Sequence, residues 1–216
     1  MFLFTEENID KIKSVVYTNE PIPDERRKHI LYSKTKGLLK DFNYNRFKEI
    51  PFPTNNSMQT YSELLFLRDL PQDEEFVKVN DDIEGVFRKV CKDHNIEYPE
   101  NLVNELFFAS LGIILDLKYH YNRPRPSQLA KEYGINIGGI QMESMKTPAY
   151  PSGHSTQGFL IGKILQTKLP IKTDAFLQAA HRISYSRNIA RAHYLSDSKM
   201  GEVLGSEMYQ YLKDRI

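Results

Sequence analysis

What this chain lacks already restricts what it can be. It holds one cysteine in 216 residues, Cys91, so no disulfide can form within it. That suits a reducing compartment. Cys91 shares an apolar stripe with Phe87 and reads as a small buried hydrophobe. Charge of one sign is missing too: 29 basic residues face 28 acidic ones, for a net charge of +1. Gripping a nucleic-acid backbone takes concentrated positive charge, so no nucleic-acid partner is expected. There is no long apolar run. The longest uncharged one, residues 106–115, falls well short of the roughly 20 residues that span a bilayer. Residues 1–7 carry no basic stretch and too short an apolar run for a secretion signal. With a mean hydropathy of −0.51, the expectation is a soluble, cytoplasmic protein with no membrane span.

What is present is helical patterning. Thr5 is placed to cap a short helix over 6–16, and 24–39 suggests a second one. Prolines 51 and 53 mark a loop. Residues 57–70 form a helix ended by Pro71. Over 73–94, Phe76, Val79, Ile83, Val86, Phe87 and Val90 recur at three- and four-residue spacing, which predicts one continuous amphipathic helix. Residues 99–121 are apolar nearly all round, the pattern of a central buried helix. Residues 127–150 look like a loop with one helical turn, in which Met142, Met145 and Tyr150 could line an entrance. A helix follows 153 and stops before Pro170. Thr173 is placed to cap the next, and 196–213 forms the last, with Gly201 and Gly205 spaced for close packing. The expected fold is all-α: a single-domain helical bundle around a buried central helix, with residues 1–56 an N-terminal helical arm and 57–216 the domain.

Three short stretches carry chemistry. In residues 186–197 one fixed cation (Arg187), one imidazole (His193) and one carboxylate (Asp197) lie close in sequence. A neutral imidazole oriented by a carboxylate serves as base or nucleophile, and an arginine offers a planar fork of donors suited to phosphate. Asp197 follows His193 by four, the same helical face. Arg187 precedes His193 by six, a different face on a continuous helix. The spacing therefore predicts a helix ending near Arg191, His193 in a connector, and Asp197 in the first turn of the next helix.

In residues 118–126, Pro124 and Pro126 stop the central helix and push Arg123 and Arg125 out of the α region. Lys118 at the helix end and Arg125 on an extended segment can then converge on one anion. In residues 150–155 a Pro-Ser-Gly turn opens a helix. Its free amides form an anion site, Gly153 lets the anion approach, the Ser152 hydroxyl adds a donor, and His154 sits at the edge as a proton donor. His120 and His181 read as surface and structural residues.

Together the stretches suit a phosphoryl group, whose equatorial oxygens gather charge during transfer. They also resemble a known family. Lys118 to Pro126 fits Lys-x6-Arg-Pro, residues 151–154 read Pro-Ser-Gly-His, and 186–197 fit Ser-Arg-x5-His-x3-Asp. This is similar to the three-part signature of the type 2 phosphatidic acid phosphatase (PAP2) superfamily, which also holds the bacterial class A non-specific acid phosphatases and the vanadium-dependent haloperoxidases.

The resemblance implies a PAP2/haloperoxidase-like fold and a set of roles. His193 would be the nucleophile that forms a phosphohistidine, with Asp197 holding its tautomer. His154 would protonate the leaving oxygen and then activate water. Lys118, Arg125, Arg187, Ser152 and the Gly153 amide would bind phosphate oxygens. Read without the resemblance, the residues leave nucleophile and base as open choices for His193. No metal and no cofactor are expected, because one carboxylate is too few for a two-metal clamp. Many members of the superfamily are membrane lipid phosphatases, and the class A acid phosphatases are exported. With neither signal visible, the expected partner is a small soluble phosphate monoester, and homo-oligomerisation stays open. The expected activity is a metal-independent phosphomonoesterase. The alternatives are a vanadate-dependent haloperoxidase using the same site and a non-catalytic phosphate-ligand binding protein.

Overall fold

Two helices at the centre of the fold carry two of the three stretches. The computed structural model describes residues 5–170 and 173–216. The first four residues, part of the segment read above as too short for a secretion signal, lie outside the described ones. In chain order the helices are α1 (Glu6–Ser14), α2 (Asp24–Thr35), α3 (Met58–Asp69), α4 (Glu74–Asp81), α5 (Ile83–Asp93), α6 (Glu100–Tyr121), α7 (Pro126–Glu132), α8 (Gly153–Lys168), α9 (Ala175–Ile189) and α10 (Leu195–Leu212). Short 3-10 turns cover Asn45–Glu49 and Glu143–Met145. The fold is all-α, a single helical domain, and the described residues contain no strand. None of their helices is long and apolar enough to cross a membrane.

The central helix is α6, as its apolar circumference predicts. Val103, Leu106, Ile113, Ile114 and Leu117 are buried on it, and Phe108 is the exception at 54% exposed. It packs against α2 and α8. Helix α8 shares the centre. All its residues from 155 to 162 are buried, because it meets α9, α10, α6 and α5 together. Thus residues 24–35 of the expected arm lie directly on the central helix. There a Cβ at Gly112 would stand 2.1 Å from the His29 carbonyl oxygen.

Local chemistry sets most boundaries. Thr5, Ser57 and Asp82 cap α1, α3 and α5 by accepting from the amides of Asn8 (3.3 Å), Thr60 (3.1 Å) and Gly85 (3.0 Å). Asp82 corrects the continuous helix expected over 73–94. The apolar spacing carries through, but Asp82 leaves helical geometry (φ −82°, ψ 94°) to cap a new helix, and the chain turns. Residues 127–150 hold more helix than expected, because Pro126 opens α7 at its first position. Thr173 does not cap α9. The cap position is Asp174, whose side chain makes no capping bond, and the Thr173 carbonyl accepts from Gln166 Nε2 instead.

Glycine lets α8 and α10 close on each other. A Cβ at Gly201 would stand 2.5 Å from the Ser152 carbonyl oxygen, and one at Gly205 2.3 Å from that of Thr156. Backbone thus packs on backbone along the seam that joins the Ser-Gly-His and His-Asp stretches. Overpacking typically costs ~1–3 kcal/mol, and alanine's helix propensity returns up to about 1 kcal/mol. Gly205→Ala should therefore lose about 1–2 kcal/mol net, read as a lower urea midpoint at unchanged slope.

Candidate active site

The structure gathers the three stretches at one end of the bundle. α9 ends at Ile189 and α10 begins at Leu195, so His193 lies in the connector and Asp197 in the first turn of α10, as the spacing predicts. Arg191 makes the turn in the left-handed region (φ +57°), and the Ala192 amide donates to the Arg187 carbonyl at 3.0 Å. Asn188 Nδ2 holds the His193 carbonyl at 3.1 Å.

Its partners define the His193 ring. Nδ1 lies 3.2 Å from Asp197 Oδ2, and Nε2 lies 3.0 Å from Arg125 Nη1. A carboxylate accepts and a guanidinium only donates. Nδ1 therefore carries the proton, and Nε2 holds the lone pair. Asp197 Oδ2 also accepts from the Tyr194 amide at 3.0 Å, and Oδ1 from Arg123 Nη1 at 2.5 Å. The carboxylate is fully buried and fixed on both oxygens.

The cations come from α6, α7 and α9. Lys118, in the last turn of α6, donates through Nζ to the carbonyls of Pro148 (2.6 Å) and Ala149 (3.3 Å). Arg125 stands extended ahead of α7 (φ −65°, ψ 153°). It donates to the carbonyls of Thr147 (2.8 Å), Ala192 (2.7 Å) and Ser144 (3.0 Å). Arg187 donates to Ser144 Oγ at 2.8 Å, to Met142 Sδ at 3.4 Å and to Asp81. One loop, residues 142–149, thus supplies acceptors to all three.

The start of α8 completes the site. Ser152 Oγ accepts from the Ser155 amide at 3.3 Å and from Ser155 Oγ at 2.9 Å, so neither bond uses its own hydroxyl proton. The Ser152 amide donates to the Asp197 carbonyl at 3.0 Å and ties α8 to α10. A Cβ at Gly153 would lie 3.9 Å from Lys118 Cε. His154 Nε2 lies 3.1 Å from the Asp81 carbonyl and 3.2 Å from Asp81 Oδ1. An unbroken chain of contacts therefore runs from His193 through Arg125, Ser144, Arg187 and Asp81 to His154. All eight residues singled out in the sequence fall within this cluster. His120 and His181 do not: His120 lies 3.3 Å from the Lys48 carbonyl, and His181 packs edge-on against Phe159.

Two residues of the cluster are given no role by the sequence. Asp81 follows from the capping pattern at Asp82, which would have broken the helix there. Arg123, wholly buried, donates to Ser196 Oγ (2.8 Å) and Thr60 Oγ1 (3.2 Å) besides Asp197, and lies 3.9 Å from the Tyr194 ring centre. The alternation Arg-Pro-Arg-Pro was its one hint.

Burial governs the titration here, and neighbouring cations add to it at most of these groups. Burial, and then the charge of Arg125, hold Lys118 well below its usual range. Burial brings Arg125 down to about 10 and also lowers Arg187. Burial depresses His193 well below 6.5, with Arg125, Lys118, Arg187 and His154 adding repulsion. Burial, and then Arg187, bring His154 to about 4, against the pull of Asp81.

In the unfolded chain both histidines take up protons near 6.5, so below that pH the unfolded state binds more protons than the folded one. Their contribution to stability is complete above about 6.5, and for His154 it is lost as pH falls toward about 4. Urea unfolding at pH 7.5 and pH 5 should show the decline, and His154→Gln should flatten part of it.

One comparison with known proteins bears on this geometry. The family model described as PAP2 superfamily matches residues 102–209, half of the chain, and spans every residue singled out in the sequence. Membership supports phosphatase-type cleavage of a phosphate ester and a small phosphorylated substrate. The chain belongs to the PAP2 superfamily.

Proposed function

We propose that the protein is a metal-independent phosphomonoesterase working through a phosphohistidine. The observation that carries this reading is the state of His193. Its Nε2 lone pair faces Arg125, a cation that the family resemblance assigns to phosphate binding, while Asp197 keeps the proton on Nδ1.

In the reaction, an entering phosphoryl dianion draws Lys118, Arg125 and Arg187 from their loop acceptors onto its oxygens. The Ser152 hydroxyl proton and the Gly153 amide join them. Once Arg125 turns to the phosphoryl oxygens, Nε2 is free to attack phosphorus. The P–N bond forms as the ester P–O bond breaks. His154, protonated, gives its proton to the departing alkoxide. Charge gathering on the three equatorial oxygens is met by groups that binding has already brought onto them, so the chemical step itself needs little further reorganisation. Water then attacks phosphorus and loses its proton to neutral His154, the P–N bond breaks, and inorganic phosphate leaves. Asp197 steadies the imidazolium character that His193 acquires. The cations take the part a metal plays in other phosphatases, and all the residues given roles here lie in domain 57–216, with the helical arm packed on it.

The dianion also supplies negative charge among groups that have little of it nearby. Binding should therefore raise the proton affinities that burial and neighbouring cations depress, and protons should be taken up with the ligand. His154, brought to about 4 by burial and Arg187, places the best activity on the acid side of neutrality, with a bell shape set by neutral His193 and protonated His154.

The test is hydrolysis of p-nitrophenyl phosphate in excess chelator. Turnover should persist, and acid-labile phosphate should be trapped on the wild-type chain by rapid quenching. His193→Ala should abolish both, and His154→Ala should slow turnover by roughly 10²–10⁴. A folded sample with no turnover, or one inactivated by chelator alone, would overturn the reading.

A further inference from the structure

Asp81 lies outside all three signature stretches, yet it touches a residue from two of them. It ends α4 at the break made by Asp82, so its side chain leaves the helix just where the chain turns. Its carboxylate pairs with Arg187, and its carbonyl and Oδ1 both face His154 Nε2, at 3.1 and 3.2 Å. The two histidines of the site are thus each held by an aspartate. The two aspartates differ in setting. The Asp197 side chain is wholly buried, whereas that of Asp81 is 39% exposed. Asp81 borders an open cleft of 820 Å³, shared with Val77, Ile140 and Met142. Met142 also contacts Arg187, so two residues of the cleft wall touch that guanidinium.

We propose that Asp81 is a positioning residue with two tasks: it fixes the ring of His154 through Nε2, and it occupies Arg187 until the phosphoryl group displaces it. The proposal rests on the phosphatase reading and adds a residue to it. The first task follows from hydrogen-bond chemistry. Both partners of Nε2 are acceptors, so Nε2 carries a proton, and Nδ1 is the atom left to serve the leaving oxygen. The second follows from competition. A carboxylate and a phosphoryl group both suit a guanidinium fork, and only one can fill the Arg187 Nη1 position at a time. On binding, Asp81 gives up Arg187 and keeps His154. A half-exposed carboxylate at a helix break is free to make that change, whereas Asp197, held by three donors in a dry setting, is not. The charged and titratable groups around His154 are Asp81 on α4, Arg187 on α9, Lys118 on α6 beside Gly153, and His193 in the connector.

The two tasks move different observables in opposite directions. Asp81→Asn keeps a side-chain acceptor for Nε2 but removes the charge, and Asp81→Ala removes both and leaves Nε2 only the backbone carbonyl. Freed of its competitor, Arg187 should bind inorganic phosphate at least about fivefold more tightly in both variants, by calorimetry on the full chain. Asp81→Ala should lower kcat by about 10–100-fold, as loss of an orienting partner does elsewhere, and Asp81→Asn should recover part of it. In both, the His154 titration followed by NMR should move to lower pH, and the alkaline limb of kcat/KM should move with it. A loss of phosphate affinity alongside kcat, or no change in either, would overturn the proposal. Wild-type chain that binds phosphate but turns over no aryl phosphate would instead sink the phosphatase reading. Calorimetry and the NMR titration would still report whether Asp81 competes for Arg187 and holds His154.

Discussion

Positive charge held in a dry place with too little negative charge to match it is the constraint on which this structure depends. Lys118, Arg125 and Arg187 stand together with two imidazoles, and every one of these groups has its proton affinity pushed down by burial. Desolvated cations repel one another strongly, and a fold tolerates them when most of their donors are satisfied. Here the satisfaction comes mostly from neutral oxygens: carbonyls of residues 144, 147, 148, 149 and 192. Neutral acceptors meet the hydrogen-bonding need without cancelling the charge. The site therefore keeps an electrostatic deficit that a tetrahedral dianion fills, and the favourable energy of filling it is available for binding and for transition-state stabilisation.

Holding such a deficit requires a rigid frame, which comes from how tightly the helices meet. Gly201 and Gly205 let α10 lie backbone to backbone on α8, and the Ser152 amide bonds to the Asp197 carbonyl across that seam. Gly112 does the same for α2 on α6, upstream of Lys118. Arg123 locks the third contact, joining the end of α6 to the start of α10 through Asp197 and reaching Thr60 of α3. Three segments far apart in sequence are thus fastened to one another by fixed bonds at their ends, and the loop of residues 142–149 is drawn over them by the cations it serves.

The parts legible in the sequence are those whose meaning is local. The ladder of apolar residues gave α6 its central place, and the interval from Arg187 to His193 to Asp197 required a break between two helices, which the structure has. Prolines 124 and 126 predicted the extended Arg125. What escaped is non-local or depends on a competition between local signals. Over 73–94 a good apolar period outweighed two consecutive aspartates, although Asp82 caps a helix better than it continues one. Pro126 looked like a helix stop, yet it is also a helix start, and only the packing of Leu129 and Ala130 in the core decides between these. Arg123 is an arginine beside arginines in the sequence. That it is buried while carrying the nucleophile's carboxylate depends on α3 and α10, which the sequence does not bring together by any pattern.

The two histidine–aspartate pairs show why such a site is built unevenly. In the proposed reaction His193 must present the same nitrogen in every cycle, so its tautomer must never change. A dry carboxylate bound on both oxygens by Arg123 and the Tyr194 amide meets that need, since any rotation would strand a buried charge. His154 must do the reverse, giving up a proton in one half of the cycle and accepting one in the next. A partner as fixed and as buried as Asp197 would favour one protonation state too strongly. Asp81, half in solvent and shared with Arg187, steadies the ring while its influence varies with what Arg187 is holding. As the phosphoryl group takes Arg187, the carboxylate is left to His154 alone, and the ring becomes more basic at the moment it must carry a proton.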